Sequence, residues 1–281
     1  MKQIIKTLSI ALILFVSINV EKVQAQLMPN PSSGQTIIQE FGLGKVTLTY
    51  NRPNTKGRKI FGALETYGNV WRTGANNAPT ITFTDEVSFG GKTVPAGKYS
   101  LFTIPNKEEW TIILNKTAEQ WGAYDYKEAD DVLRITVKPT STQSLMETFT
   151  IGFSNVKAGS MNLDLVWEKT AVSVPLMVNF DAKVMANIEK GMAGDKKPYF
   201  AAAQYYYDNN KDIKKALEWI NEAEKADAKA PWVKLWKAKI QLKAGDKAGA
   251  KATAETGLKL AQDIKNEEYI RLHQTFLAQM K

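Results

Sequence analysis

The chain has 281 residues and a net charge of +8, with 44% hydrophobic residues, one histidine and no cysteine. Without cysteine there are no disulfides, no thiol nucleophile and no lipid on an N-terminal cysteine, so stability must come from a packed core. The lone His273 argues against a Ser–His–Asp triad and leaves a zinc site without its usual imidazole ligands. We therefore expect no metal ion and no other cofactor.

Residues 1–25 are typical of a secretory signal peptide. Lys2 and Lys6 precede an apolar run at residues 8–20, and small side chains follow up to Ala25. A run of about 13 residues is short for an uncleaved membrane anchor, which needs about 20. We expect cleavage after Ala25, a mature chain that begins at Gln26, no stable membrane insertion, and a periplasmic or secreted location.

Residues 26–180 are predicted to form an antiparallel β domain. Short runs rich in β-branched and aromatic residues alternate with Gly, Pro, Asn and Asp, and no long helical pattern separates them. The arrangement is typical of a β-sandwich or a barrel, between which the pattern alone does not decide, and we favour the sandwich. The predicted strands are 36–41, 45–50, 80–84, 87–89, 99–104, 110–115, 132–138, 147–153, 161–168 and 171–178.

After residue 180 the pattern changes to a helical period. Val184, Ile188 and Met192 recur every four residues, which predicts a connecting helix within residues 181–195. Residues 196–281 then form helical segments in pairs, joined by short polar loops. The predicted helices are 199–207, 213–226, 232–242, 248–262 and 267–280.

A fixed spacing recurs in this helical region, where Asp212 and Ala216 are followed by Asp246 and Ala250. The spacing equals the period of tetratricopeptide repeats, about 34 residues. The region resembles such repeats, although the Trp and Gly of the usual first helix are out of register and only two repeats are visible. A plain helical bundle is the alternative. The resemblance implies a protein partner, since such arrays often bind peptides on their concave face.

Positive charge is concentrated in the same region, where residues 196–281 hold 17 Lys or Arg against 11 Asp or Glu. Lysines interleaved with glutamates along helices are typical of solvated faces. Nothing gathers the lysines into a patch with base-stacking aromatics, so nucleic-acid binding is not expected.

Four carboxylates, Asp125, Glu128, Asp130 and Asp131, precede the strand predicted at 132–138. Paired carboxylates can hydrolyse glycosides or hold calcium, but this spacing lacks the glycine of an EF-hand loop. We interpret the cluster as a solvated acidic loop.

A long loop punctuated by glycines lies between the second and third predicted strands. The loop and its borders hold the candidate ligand-binding residues Arg52, Arg58, Trp71, Arg72, Asn76 and Asn77. Arginine offers a planar fork for carboxylates or phosphates, and tryptophan offers a flat apolar platform, so a small anionic ligand is the binding hypothesis. The structural alternative is that Arg72 pairs with a carboxylate of the domain and that Trp71 caps its core.

Five short motifs in the β domain are specific in their residues and in their order along the chain: RKIFG at 58–62, WRTGAN at 71–76, PAGKYSLFTIP at 95–105, WG at 121–122 and LVWEK at 165–169. They resemble the DUF2911 family, a group of exported bacterial proteins whose biochemical role is not established. The likeness covers about residues 29–178 and implies a β-rich domain, often with a helical C-terminal extension. It implies no catalytic residues, because the family has no agreed ones.

Together these features predict an antiparallel β-sandwich, or barrel-like, domain followed by a module of helical hairpins at 196–281. The first functional hypothesis is an exported, non-catalytic binding or scaffold protein whose helices bind a protein partner. The alternative is a cell-envelope hydrolase that uses carboxylates of the β domain. A third interpretation is that the helices only stabilise the β domain. Converging Asp or Glu side chains beside Arg72 in a deep pocket would favour the hydrolase, whereas an open helical groove would favour the binding protein.

Overall fold

The computed structural model describes residues 28–280. The predicted signal peptide therefore lies outside the described residues. The chain divides into two compact units, one that ends at Val178 and one that begins at Asn179. Within residues 28–280, no helix combines the length and the apolar character that crossing a membrane requires.

The first unit is a β domain of two sheets, and all of its ladders are antiparallel. Its strands are β1 Ser33–Phe41, β2 Gly44–Arg52, β3 Thr80–Phe83, β4 Val87–Phe89, β5 Lys92–Val94, β6 Gly97–Ile104, β7 Trp110–Asn115, β8 Asp131–Val137, β9 Thr140–Ser154 and β10 Ser160–Met177, with a 3₁₀ turn at Glu128–Asp130. One sheet has the order β1-β2-β3-β6-β7-β8 and the other has the order β5-β4-β10-β9.

The alternation of residue types along β2 decides which face of the larger sheet is buried. Val46, Leu48 and Tyr50 are almost fully buried, whereas the Thr49 side chain between them is exposed. Rings from the two sheets meet in one core: Phe83 of β3 packs edge to face on Phe89 of β4, with 6.3 Å between the ring centroids. The predicted antiparallel β domain is confirmed, and its two sheets are stacked on a shared core.

Five aromatic side chains form a single cluster in this core: Phe61 and Trp71 from the loop after β2, Trp110, Phe149 and Trp167. Trp71 stacks on Trp167 with 5.8 Å between the centroids and 12° between the planes. It also packs edge-on against the other three rings. All five residues are at most 5% exposed. Burying rings of this size stabilises the fold by about 2 kcal/mol each, so the loop is fixed to the sheets by its own hydrophobic side chains.

One corner of the sandwich is joined by hydrogen bonds between the sheets. After β2 the chain crosses toward β9, where Phe149 N donates to Pro53 O at 2.8 Å. The buried Tyr50 hydroxyl adds a second tie, because it accepts from Ile151 N at 3.0 Å and donates to Gln35 Oε1 at 2.8 Å. Residues at the end of β2 and just after it therefore join the two sheets by hydrogen bonds.

Loops cover part of the opposite face of the six-stranded sheet, over β6 and β7. Phe102 and Ile113 are fully buried there against Ala78. Beside them, the buried Gln120 amide donates to Asn115 Oδ1 at 3.1 Å. Because buried polar groups need partners, this bond fixes the loop that follows β7 to the sheet surface.

Three strands differ from the sequence prediction. Segments 161–168 and 171–178 form one strand, β10, whose pairing is irregular around Glu168. Glu168 adopts a φ of 55°, a left-handed conformation that interrupts the alternation as a bulge does. β5 was not predicted because, of its three residues, only Val94 is apolar and buried. β9 begins at Thr140 rather than at 147, and its first residues are polar and mostly exposed.

The second unit is helical, as predicted. Its helices are α1 Asp181–Met192, α2 Tyr199–Asp208, α3 Ile213–Ala226, α4 Pro231–Lys243, α5 Lys247–Asp263 and α6 Glu267–Ala278. Successive helices from α2 to α6 pack on one another, and α4 also contacts α2 and α6.

The repeated aspartates mark the starts of two of these helices. Asp212 precedes α3 and Asp246 precedes α5, and each accepts a hydrogen bond from a backbone N–H of the first turn, at 2.9 Å and 2.8 Å. Such N-caps contribute about 1 kcal/mol each. Ala216 and Ala250 are both fully buried. The repeated spacing therefore gives α3 and α5 the same cap and the same small contact residue.

Candidate functional sites

The two arginines at the start of the loop between β2 and β3 bind the protein's own backbone. Arg52 Nε donates to Phe149 O at 3.2 Å. Arg58 donates through Nε to Thr55 O and through Nη2 to Asn54 O, each at 2.8 Å. These bonds tie the loop to β9 and close its first turn, so both guanidinium groups act as braces in this structure.

Trp71 lies in the core of the β domain. Its backbone pairs with Thr103 of β6 in both directions, at 2.7 Å and 3.0 Å. Its indole faces are covered by the aromatic cluster, and only 5% of the residue is exposed. The structure therefore places Trp71 as a packing residue, with its indole N–H directed to the edge of the core.

At that edge the Trp71 N–H faces the carboxylate of Glu65. Burial raises the pKa of Glu65 from 4.5 to about 7, while the charge of Arg72, the Trp71 N–H and the charge of Arg58 each lower it in part. The Trp71 Nε1 is itself buried, and its contact with the carboxylate falls outside hydrogen-bond geometry. A carboxyl that titrates near neutral pH is suited to exchanging protons. Glu65 was not predicted as a site residue, because nothing in its type or spacing separates it from other loop glutamates.

Arg72 lies in a stretch of unusual backbone. Thr73 and Asn76 adopt φ values of 57° and 59°, and Gly74 adopts 143°. Positive φ at non-glycine residues costs about 1 kcal/mol or more and needs support from the surroundings. Part of that support is a hydrogen bond from Gly122 N to Asn76 O at 3.0 Å. Arg72 Nε is buried without a hydrogen-bond partner among the described residues.

Asn77 lines a polar cavity of about 270 Å³ on the outer face of the six-stranded sheet. Its backbone forms an isolated antiparallel bridge with Trp121, whose side chain is 62% exposed. The residues that line the cavity include Thr49, Asn51, Asn77, Thr80, Lys98 and Glu119. The six predicted ligand residues thus do not form one site. Arg58, Trp71 and Arg72 act on Glu65, whereas Asn76 and Asn77 pair with the segment 121–122 and Arg52 is bonded to β9. Trp121 belongs to the WG motif at 121–122 but was not predicted as a site residue.

The acidic cluster before β8 is paired with cations. Arg134 Nη1 lies 2.6 Å from Glu128 and 3.4 Å from Asp131, and Lys116 lies 3.1 Å from Asp130. The hydrogen bond from Lys116 is the main reason why the pKa of Asp130 lies below its ordinary value. Within residues 28–280, no group of three or more His, Cys, Asp or Glu side chains is arranged to hold a metal ion. The cluster closes the turn that leads into β8.

His273 is buried between helices. Its Nε2 lies 3.0 Å from Pro231 O at the start of α4, and burial lowers its pKa below 6.5. Gly257 of α5 makes room for the ring, because a Cβ there would lie 2.2 Å from His273 Cε1. We assign His273 to packing.

In the helical unit, α1 is tied to its neighbours at both ends. At its start, Asp181 accepts hydrogen bonds from Tyr205 Oη at 2.6 Å and from Lys211 Nζ at 2.7 Å. Near its end, Gly191 approaches the next segment so closely that a Cβ would lie 2.9 Å from Pro198 Cγ.

Between these two ties, α1 stands off from α2 and α3 and leaves a groove of about 680 Å³. No residue of α1 is fully buried, so its apolar side chains are open along the groove. The apolar lining comprises Met185, Ile188 and Met192 of α1 with Tyr199, Tyr206 and Trp219, and the charged lining residues are Lys197, Lys215 and Glu189. The sequence period predicted α1, but it did not predict that, within the described helices of this unit, the apolar face would line an open groove.

A family model matches the sheet unit, and a solved structure is similar to part of the chain. The family is described as "Protein of unknown function (DUF2911)" and matches residues 32–176. The solution structure of protein BPP2914 from Bordetella parapertussis has 23% sequence identity over 37% of this chain and 89% of its own, with a TM-score of 0.31. No curated protein matches. Because the family match covers more than half of the sequence and runs from β1 into β10, the chain belongs to the DUF2911 family.

Proposed function

We propose that this protein is an exported, non-catalytic binding protein of the bacterial periplasm, whose helical unit holds an apolar segment of a partner protein that also carries acidic side chains. The signal-like order of residues 1–25 supports export. The observation that carries the binding proposal is the groove between α1 and the pair α2 and α3.

The lining of the groove supports an apolar occupant. A volume of about 680 Å³ lies within the usual range of ligand pockets and accommodates several side chains of a helical segment. Met185 and Met192 are flexible and polarisable, so they can adapt to partner side chains of different shape. Trp219 and Tyr206 add large rings that bury much area at low entropic cost.

Charge supports an occupant with acidic groups. Lys197 and Lys215 line the groove beside one acidic lining residue, Glu189, and Lys215 is also paired with Glu218 at 3.0 Å. Residues 196–281 as a whole carry an excess of Lys and Arg. Acidic side chains of the partner, next to its apolar segment, would therefore be attracted by these lysines as the two proteins approach, and the same charges would orient the partner in the complex.

We also propose that α2 to α6 form a tetratricopeptide-like array rather than a plain bundle. The shared caps and shared buried alanines of α3 and α5, which recur at the period of such repeats, support this proposal. The contacts of α4 with both α2 and α6 also agree with such an array.

For the β domain, a small anionic ligand remains a proposal. Arg72 supports it best, because Arg52 and Arg58 are bonded to backbone carbonyls and Arg72 Nε is not.

The rival proposal, a cell-envelope hydrolase, is favoured by one observation. The pKa of Glu65 is raised to about 7, whereas hydrogen bonds from Thr55 and Lys56 lower the pKa of Glu147. Acid–base hydrolysis needs one protonated carboxyl as the acid and one ionised carboxylate as the base. Neither glutamate lines the cavity beside Asn77, and we therefore rank binding first.

The test is affinity capture from envelope extract with residues 26–281, compared with the variant Ile188→Asp. The substitution places a carboxylate in the groove, and α1 tolerates it because no residue of α1 is fully buried. Val156→Asp, at an exposed apolar position of the sheet unit, is the matched control. We expect one partner to be recovered by the parent and the control and lost with Ile188→Asp.

The identity of the bound segment is the second readout. Crosslinks from Lys197 or Lys215 are expected to map to a partner segment that is both apolar and acidic. Recovery that survives Ile188→Asp, or crosslinks to a basic segment, would overturn the proposal.

A further inference from the structure

We propose that the polar cavity beside Asn77, together with the indole of Trp121, binds a neutral saccharide built of hexopyranose units. This site belongs to the sheet unit and does not depend on the groove in the helical unit. Its elements are a set of unused polar groups, an exposed aromatic platform and a rigid support.

The cavity presents hydrogen-bonding groups that the protein does not use itself. The side-chain amides of Asn51 and Asn77 and the hydroxyl of Thr80 have no hydrogen-bond partner among the described residues. An amide offers one acceptor and two donors, and a hydroxyl offers both functions. Sugar hydroxyls are likewise donors and acceptors at once, so adjacent hydroxyls of a ring can satisfy such groups in pairs.

Trp121 supplies the platform. It is paired with Asn77, and the flanking bonds run from Ala78 N to Gln120 O at 2.9 Å and from Gly122 N to Asn76 O at 3.0 Å. This is the narrow type of antiparallel pair, in which the two opposed side chains lie close together on the same side. The indole therefore stands next to the amide that lines the cavity. One face of a pyranose ring consists of C–H groups, which stack on a flat apolar ring.

The support under Trp121 is rigid. The adjacent Gln120 is 5% exposed, and its Nε2 donates to Thr117 O at 2.7 Å and to Asn115 Oδ1 at 3.1 Å. On the same loop, Glu119 is paired with Lys98 at 2.5 Å. An exposed indole on an anchored loop loses little freedom on binding, which is the condition for a preformed site.

Charge and size favour one neutral sugar ring in the cavity. Lys98 and Glu119 are the charged lining residues, and they neutralise each other as an ion pair. The volume of about 270 Å³ is near the lower end of the usual range for small-molecule pockets, about 300 Å³. A second ring of an oligosaccharide would extend over the exposed indole of Trp121.

Titration with maltohexaose, cellohexaose and chitohexaose tests the proposal. Residues 26–281 are used, and the readouts are calorimetry and the indole N–H resonance of Trp121. We expect at least one of the three sugars to bind and to shift that resonance. Trp121→Ala and Asn77→Ala are each expected to weaken binding by about tenfold or more, whereas Trp232→Ala, at an exposed tryptophan of the helical unit, leaves it unchanged.

Both test residues are exposed, so their variants are expected to fold, which thermal unfolding checks. Trp121→Phe, which keeps a smaller platform, is expected to retain part of the affinity. The proposal is overturned if none of the three sugars shifts the Trp121 resonance at millimolar concentration, or if binding persists in both alanine variants.

Discussion

Replacing Glu65 with glutamine measures the energetic cost of ionising this partly buried carboxyl in the β domain. Burial raises the folded-state pKa of Glu65 from 4.5 to about 7. Between these two values the folded protein holds a proton that the unfolded chain has released, so stability falls as pH rises through this interval. Glutamine keeps the shape of the protonated side chain and cannot ionise. We therefore expect Glu65→Gln to match the parent below pH 4.5 and to be more stable above pH 7.

The magnitude follows from the pKa. Each tenfold change in proton affinity corresponds to about 1.4 kcal/mol. If the group were fully buried, a pKa of about 7 in the folded protein against 4.5 in the unfolded chain would lower the stability of the parent at alkaline pH by about 3 kcal/mol. Glu65 is only partly buried, and solvent screening reduces the effect, so we expect a gain of about 1–2 kcal/mol at alkaline pH.

The assay is urea unfolding at a series of pH values, followed through the indole N–H resonance of Trp167. That ring lies in the β-domain core, so its signal does not include the helical unit. Glu108→Gln, at an exposed glutamate of the same unit, is the control and is expected to show no comparable dependence on pH. A stability difference that stays constant with pH, or a Glu65→Gln protein that is less stable than the parent above pH 7, would refute the reasoning.

Three further predictions concern the helical unit, and thermal unfolding of its helical circular-dichroism signal checks each of them. Asp212→Ala removes the N-cap of α3 and is expected to lower the free energy of unfolding by about 1 kcal/mol. Asp208→Ala, at the end of α2, is the control. An equal loss of stability in both variants would contradict the capping role of Asp212. Gly257→Ala places a Cβ 2.2 Å from His273 Cε1 and is expected to cost about 1–3 kcal/mol, whereas Gly194→Ala, whose Cβ meets nothing closer than 3.5 Å, should not destabilise through a clash. Burial lowers the pKa of His273 below 6.5, so on acidification the unfolded chain binds the proton before the folded protein does, and stability should fall as pH drops below 6.5. His273→Gln should lose this pH dependence. If the variant keeps it, another group is responsible.

Local patterns predicted the elements of this fold well, whereas the long-range pairing of the strands was not predicted. The helices begin and end near their predicted positions, because the period and the capping residues Asp212 and Asp246 are local signals. β10 was divided in two because the left-handed Glu168 breaks the alternation that identifies a strand. Its continuity depends on pairing with β9, which no short window of sequence contains.

The candidate sites show the same limit. Arg52 and Arg58 have the residue type of an anion site, but whether a guanidinium group is free depends on which carbonyls lie within reach. Glu65 acquires its unusual pKa from the core around Trp71, which assembles from distant strands. Asn77 and Trp121 are far apart in sequence, and only the backbone bridge between them brings the amide to the indole.

The near-parallel packing of Trp71 on Trp167, at 5.8 Å and 12°, has an optical consequence. Indoles held at such distances couple their electronic transitions, and Trp110 lies at a similar distance from Trp71, 6.3 Å. The three indoles around Trp71 should therefore give a near-ultraviolet circular-dichroism signal that separated tryptophans do not give. In a chain with seven tryptophans, the loss of this signal would report the release of Trp71 from the core without any added label.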